Sequence, residues 1–413
     1  MTSDAEGEGG IMKDLKHLYE FEKLLLESNN DLVRQAADRG DKIIGINCFQ
    51  LPEAFYNLPG ITAIHVRAPR TGTMEMGTYY MTSMTCEYCR AVVERALEGG
   101  YQFLDAILET AACSQVADCF ENLERLQLCN KEGFFIAHID APMKSDENAV
   151  QHMIRMTRRR ILDRLTEEFG TDTSEAALRK SVEIHNEVCR LISEIGAYRA
   201  EENPRITGYE FAVICLVTYA CPKDLLLPML RETAEELKTR EPDDEKKKKY
   251  RARVLLVGSE IDDADYVKEI EEAGALVVAD RYCYGSYPDR IPIELNDEED
   301  VLTQICRHVV KNNQCPRYMD MEAVKYRKDV LDQLAKKYHA DGIIVQQMKF
   351  CNFWGYERAG MQHIMREEYG YPVLSMDRPY VVTSSGQLRT RVQAFVESIE
   401  IKQLHQEGKG GDD

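Results

Sequence analysis

The strongest constraint on how this chain folds is an alternation of short apolar runs and helical stretches, arranged in two blocks. In the first block, Lys42 to Asn47 (KIIGIN), Thr62 to Val66 (TAIHV), Phe103 to Leu108 (FLDAIL) and Gly133 to His138 (GFFIAH) read as buried strands. Helical spacing fills the gaps, as in Tyr88 to Leu97 and Gln115 to Leu126. In the second block, Arg253 to Gly258 (RVLLVG), Ala275 to Ala279 (ALVVA), Gly342 to Gln346 (GIIVQ) and Pro372 to Ser375 (PVLS) alternate with helices at Ala264 to Ala273, Met321 to Tyr338 and Leu388 to Ile399. Strands that are apolar along their whole length and separated by helices form parallel sheets, because the crossover helices cover both faces. The expected class is α/β, with two doubly wound lobes of the Rossmann or flavodoxin kind.

The remaining segments divide the chain. Residues 1–40 hold a polar, glycine-rich tail, disordered over 1–10, then one or two amphipathic helices from Asp14 to Arg39. The first lobe is expected at 41–147. Over 148–250 the strand signal disappears and long helical patterns take over, including Glu175 to Ile195, capped by Thr173 or Ser174, and Leu225 to Lys238. That helical region ends in a charged linker, Glu241 to Lys249 (EPDDEKKKK). The second lobe follows at 251–405, and 406–413 is a polar, disordered tail.

Charge and composition exclude several functions. The 413 residues carry 52 basic against 71 acidic groups, a net charge of −19, and a duplex-binding surface needs the opposite balance. The clusters Arg158-Arg159-Arg160 and Lys246 to Lys249 read as a solvated helix face and part of the linker. No apolar run is long enough to cross a bilayer, and the acidic start MTSDAEGEGG is no secretory signal, so a cytoplasmic protein without membrane or nucleic-acid partners is expected. The nine histidines lack the spacing of a zinc site. Gly258-Ser259 and Gly285-Ser286 follow strands, but no dinucleotide fingerprint or P-loop is present, so neither ATP nor NAD is expected on this chain.

Thirteen cysteines, an odd number at scattered spacing, do not form a disulfide framework. Cys89, Cys119, Cys129, Cys189, Cys215, Cys221 and Cys306 sit mostly among apolar neighbours in helical patterns and read as core thiols. Two others fall where open α/β sheets bind ligands, in loops between a strand's carboxyl end and a helix, and a third opens a helix. Cys113 follows the strand ending near Glu109, Cys351 lies just past Gly342 to Gln346, and Cys86 opens the helix after Tyr80 to Thr85. A helix N-terminus favours the thiolate, which is the ligating form, and its free N–H groups can donate to cluster sulfides. Three thiols drawn from two lobes are compatible with an iron–sulfur cluster that leaves one iron open, or with incidental buried cysteines.

The segments around these residues carry a resemblance. Thr85-Cys86-Glu87-Tyr88, Cys113-Ser114-Gln115-Val116, Gln346-Gln347-Met348-Lys349-Phe350-Cys351 and Ser384-Ser385-Gly386-Gln387-Leu388-Arg389-Thr390-Arg391-Val392-Gln393-Ala394-Phe395 resemble the 2-hydroxyacyl-CoA dehydratase and benzoyl-CoA reductase family, of the 2-hydroxyglutaryl-CoA dehydratase D-component type. The similarity runs in order from about Ile43 to Ile399. It implies an oxygen-sensitive [4Fe-4S] cluster on Cys86, Cys113 and Cys351, and an enzyme of two related subunits, as a heterodimer or homodimer. It also implies a separate ATP-hydrolysing activator that injects one low-potential electron. In the family that electron reduces an acyl-CoA thioester to a ketyl radical anion, which then loses a 2-hydroxyl group or, in the benzoyl-CoA branch, leads to ring reduction. A further branch holds a double-cubane cluster and reduces small molecules, using extra cysteines in the second lobe. Cys283 and Cys315 lie near where those would sit, and read equally as buried loop thiols. The turn Asn47-Cys48-Phe49-Gln50 lacks a serine carried by some active dehydratase subunits, which leaves open a non-catalytic electron-relay role. Arg389 and Arg391 read as helix-surface charges, with CoA phosphates as the alternative partner.

Overall fold

The computed structural model describes residues 14–242, 249–286, 290–381 and 385–407. The expected N-terminal tail, most of the charged linker and residues 408–413 lie outside them. The strands are β1 (Lys42–Ile46), β2 (Ile61–His65), β3 (Ala106–Thr110), β4 (Phe135–Ile139), β5 (Ala252–Gly258), β6 (Ala275–Tyr282), β7 (Gly342–Met348) and β8 (Val373–Arg378). They form two four-stranded sheets, ordered β2-β1-β3-β4 and β6-β5-β7-β8, and every pairing is parallel. The two lobes therefore share one topology. In each, the chain leaves the first strand toward one edge and the third strand toward the other, which opens a crevice at the carboxyl ends of β1 and β3, and of β5 and β7.

Strand limits differ from the apolar runs where turns claim part of a run. The run from Phe103 contributes only its end to β3, because Asp105 closes a turn, accepting the Ile43 N–H at 2.9 Å and donating its own N–H to the Ile43 carbonyl. β6 and β7 run longer than their apolar cores, to Tyr282 and Met348, and so carry the chain closer to the crevice. The C-terminal helix Ser385–Glu407 also extends into the expected tail.

The helical region is threaded into both lobes. Helix Gly208–Ala220 is apolar on all sides, as a helix must be when protein surrounds it. A capping box of Thr207 and Glu210 starts it, and Glu210 is also paired with Arg240 at 2.7 Å. Its side chains share one core with the N-terminal helix Leu18–Leu25, with β5 and β6, and with Phe395 and Ile399 of the last helix. Helix Val301–Lys311, although it follows β6, packs into the first lobe's core with Val150, Met153, Leu178 and Val182. This excursion returns the chain across the cleft through Gln314, Cys315 and Pro316.

Candidate functional site

Six cysteines line one cavity between the sheets: Cys48, Cys86, Cys113, Cys283, Cys315 and Cys351. Its volume is about 100 Å³, and Asn47, Phe49, His65, Tyr88, Gln115, Tyr219, Glu260, Tyr284, Phe353 and Trp354 complete much of the wall. The fold supplies each thiol from a chain end at the crevice. Cys113 and Cys351 are the N-caps of the helices that follow β3 and β7, and Cys86 is the N-cap of Glu87–Leu97. Cys48 follows β1, Cys283 follows β6, and Cys315 sits on the segment returning from Val301–Lys311.

The lobes are fastened to each other around this cavity. Glu87 donates its N–H to the Lys349 carbonyl at 3.3 Å, and its carboxylate accepts the Tyr380 N–H at 2.6 Å. Arg317 donates to the carbonyls of Ala111 and Ala141, at 3.3 and 3.0 Å. Gln50 Oε1 accepts from Asn313 at 3.0 Å and from Tyr318 at 3.2 Å.

The cavity thiols lie near enough to act on one another electrostatically in one connected network. Cys113 and Cys351 each feel Cys86, and Cys351 also feels Cys113; Cys48 and Cys283 each feel Cys315, and Cys283 also feels Cys48. Cys48 also feels Cys113, and Cys283 also feels Cys351. Burial pushes Cys113 up to about 12, and pushes Cys48, Cys283, Cys315 and Cys351 above the ordinary thiol range as well. Cys86 is raised first by its hydrogen bond with Cys89, then by burial. Backbone N–H groups offset part of this: Gln50 for Cys48, Cys89 for Cys86, Gln115 and Val116 for Cys113, Arg317 for Cys315, and Trp354 for Cys351.

Charge is distributed unevenly around the thiols. Glu260, at the end of β5, places Oε1 3.9 Å from Cys86 Sγ, and burial lifts its carboxyl to about 7, partly countered by Arg378. Around Cys315 stand three buried guanidinium groups. Arg281 binds the Gln314 side chain at 2.7 Å, Arg327 binds the Cys315 carbonyl at 3.4 Å, and Arg317 draws the thiol's pKa down most among them. Glu357 in turn clamps Arg327 and Lys328, at 3.0 and 2.9 Å.

The donor set fits an iron–sulfur cluster better than a single ion. Among the described residues, no three His, Cys, Asp or Glu side chains are close enough to share one ion. Cluster ligands bind different irons and so stand further apart than the ligands of one ion. Iron would replace the proton that burial otherwise keeps on each sulfur, and the N–H donors suit a sulfur-rich anion.

Against known sequences, the model of the 2-hydroxyglutaryl-CoA dehydratase D-component family matches residues 48–399. The chain belongs to that family. Among curated relatives, it is 24% identical over 385 residues to the (R)-phenyllactyl-CoA dehydratase beta subunit of Clostridium sporogenes, covering 93% of this chain and 99% of the relative. It is 21% identical to the putative dehydratase subunit YjiM of Escherichia coli K12, over 89% of this chain and 94% of that one. Identity to a benzoyl-CoA reductase subunit of Thauera aromatica is 21%, over 60% of this chain and 62% of the relative.

For this member of the D-component family, the structure brings Cys86, Cys113 and Cys351 to one cavity, together with Cys283 and Cys315. The seven cysteines read as core thiols are all buried, and none lines the cavity. Sequence reasoning missed Cys48, Glu260 and His65. Cys48 occupies the same place after β1 that Cys113 occupies after β3, and that position was its signal. Glu260 is the topological counterpart of Cys48 after β5, but nothing in its local sequence marks it. Ser259 Oγ pairs with Gln346 at 3.3 Å and with the Met348 N–H at 2.6 Å. Arg389 pairs with Glu269 and Glu272, and Arg391 with the Ser375 carbonyl at 2.7 Å, as surface charges. Among the described residues, no helix is long and apolar enough to cross a membrane.

Proposed function

We propose that this chain is the electron-storing iron–sulfur subunit of a 2-hydroxyacyl-CoA dehydratase-like enzyme, and that all six cavity cysteines are cluster ligands. The observation that carries this reading is that six thiols, Cys48, Cys86, Cys113, Cys283, Cys315 and Cys351, line a single cavity and lie near enough to act on one another electrostatically. Six thiols, at three for each, suit two cubane units, about eight irons in all, as in the double-cubane branch. A cluster bound there would supply low-potential electrons. The protein's own residues hold the thiols at helix starts, exclude water through the aromatic wall, and balance charge through Glu260 on one side and Arg281, Arg317 and Arg327 on the other.

The small size of the cavity supports a thioester site elsewhere. Pockets for drug-sized ligands run to roughly 300–1,000 Å³, whereas this cavity is about 100 Å³ before any cluster is placed. An acyl-CoA therefore belongs to a related partner subunit, and an ATP-dependent activator fits as the electron source. The enclosed, aromatic-lined cavity also favours a second reading, direct reduction of small molecules at the cluster.

The test is EPR of the anaerobically purified, reduced chain alone, mixed with a 2-hydroxyacyl-CoA or with a small reducible molecule such as azide. The storage reading predicts that neither changes the signal. A change with azide alone favours the small-molecule reductase. A change with the acyl-CoA overturns the assignment of the thioester to a partner.

A further inference from the structure

We propose that His65 is the hydrogen-bond donor that the contents of the six-cysteine cavity meet, acting through Nδ1–H, with Tyr56 fixing its tautomer. The proposal rests on the iron–sulfur reading above and adds a residue with no counterpart among the expected ligands. His65 closes β2 and is 2% exposed, yet its ring forms part of the cavity wall. Its Nε2 lies 3.0 Å from the Tyr56 hydroxyl, while Nδ1 is buried without a partner. More than about nine in ten buried polar groups are paired, so an orphan on the wall of a cavity points to what the cavity holds.

The surroundings fix both the ring and its charge. Tyr219 and Tyr284 pack against it in T-shaped contacts, with centroids at 4.9 and 4.8 Å. Burial, with Lys223, Arg290 and Arg67 nearby, holds its pKa well below the ordinary histidine range, so the imidazole stays neutral. A neutral imidazole has one N–H and one acceptor nitrogen. If Nε2 accepts from Tyr56, the proton sits on Nδ1, the unpartnered nitrogen of a residue that lines the sulfur-rich cavity, and such a lining calls for a donor. Hydrogen bonds to sulfur are among the means by which a protein sets a cluster's potential.

The test uses the anaerobic holoprotein. His65→Phe keeps a planar ring of similar shape in the tyrosine cage and removes the donor, and Tyr56→Phe removes only the group that sets the tautomer. In EPR-monitored redox titrations, His65→Phe is expected to lower the reduction potential with iron content unchanged, and Tyr56→Phe to lower it less. Should His65→Phe fail to fold, pulsed EPR on wild-type protein carrying 15N-histidine decides, since His65 is the one histidine among the described residues that line the cavity. A 15N coupling supports the proposal. Full iron content with an unmoved potential in His65→Phe, or no 15N coupling in the wild type, overturns it. Absence of iron from the wild type would instead overturn the iron–sulfur reading itself.

Discussion

Glu357 is the carboxylate whose loss should be felt most widely. It lies on helix Asn352–Glu367, which Cys351 caps, and it is 7% exposed. It receives Arg327 Nε and Nη2 at 3.0 and 3.1 Å and Lys328 Nζ at 2.9 Å. Arg327 also holds the Tyr318 carbonyl at 2.6 Å and reaches the Cys315 carbonyl, so one carboxylate braces the supports of two cavity thiols. Replacing it with Gln strands two buried cations, and removing one partner of a buried pair costs about 3–5 kcal/mol. The pKa gives a second figure. Despite burial, Arg327 and Lys328 hold the carboxyl at about 2 against an ordinary 4.5, which at ~1.4 kcal/mol for each tenfold is ~3 kcal/mol. Burial also lowers the Lys328 pKa, which offsets part of this gain. A depressed carboxylate stabilises fully above its unfolded value, so the contribution holds at pH 7 and fades as pH falls from 4.5 through about 2. The chain's one tryptophan, Trp354, is buried on the same helix. Urea unfolding of Glu357→Gln, followed by its fluorescence, should show a loss of ~3 kcal/mol at pH 7, and the variant should lack the acid-range loss of the wild type. A deficit under ~1 kcal/mol, or an unchanged acid profile, would refute the reasoning.

Gly258→Ala should destabilise the second lobe by at least ~2 kcal/mol in the same unfolding assay, because Gly258 sits at φ +153 and a Cβ there would lie 2.0 Å from the Gln346 carbonyl oxygen. His138 should titrate above its ordinary 6.5 by NMR, held up mainly by its hydrogen bond to Glu109 at 3.0 Å. Its contribution to stability is complete below 6.5 and fades as pH rises through the folded value, and Glu109→Gln should return the titration toward 6.5. Cys315→Ser or Cys48→Ser should lower iron content toward about four per chain, measured by colorimetric iron and sulfide assay, if each completes one of two cubane units.

Most of the fold was legible because parallel strands buried on both faces leave an unmistakable apolar run, and all eight runs became strands. The ends were less legible, since Asp105 turns an apolar stretch and β7 continues through Gln347, where no local preference announces either outcome. Cys113 and Cys351 were readable from their place at helix starts after strands, and Cys86 from its place at a helix start. Cys48 was hidden because only its place after β1, and no local motif, marks it. Cys315 was hard to place because its position depends on helix Val301–Lys311 crossing into the first lobe's core, a tertiary event. His65 reads simply as one residue of an apolar strand. Only the aromatic packing around it exposes the unpaired nitrogen.

The central claim is that six thiols hold one iron–sulfur site. The direct measurement is iron and acid-labile sulfide per chain in anaerobically purified, reconstituted protein. The account predicts about eight irons with matching sulfide. About four would reduce the site to one cubane and contradict the six-ligand claim, and no iron after careful reconstitution would contradict the account as a whole.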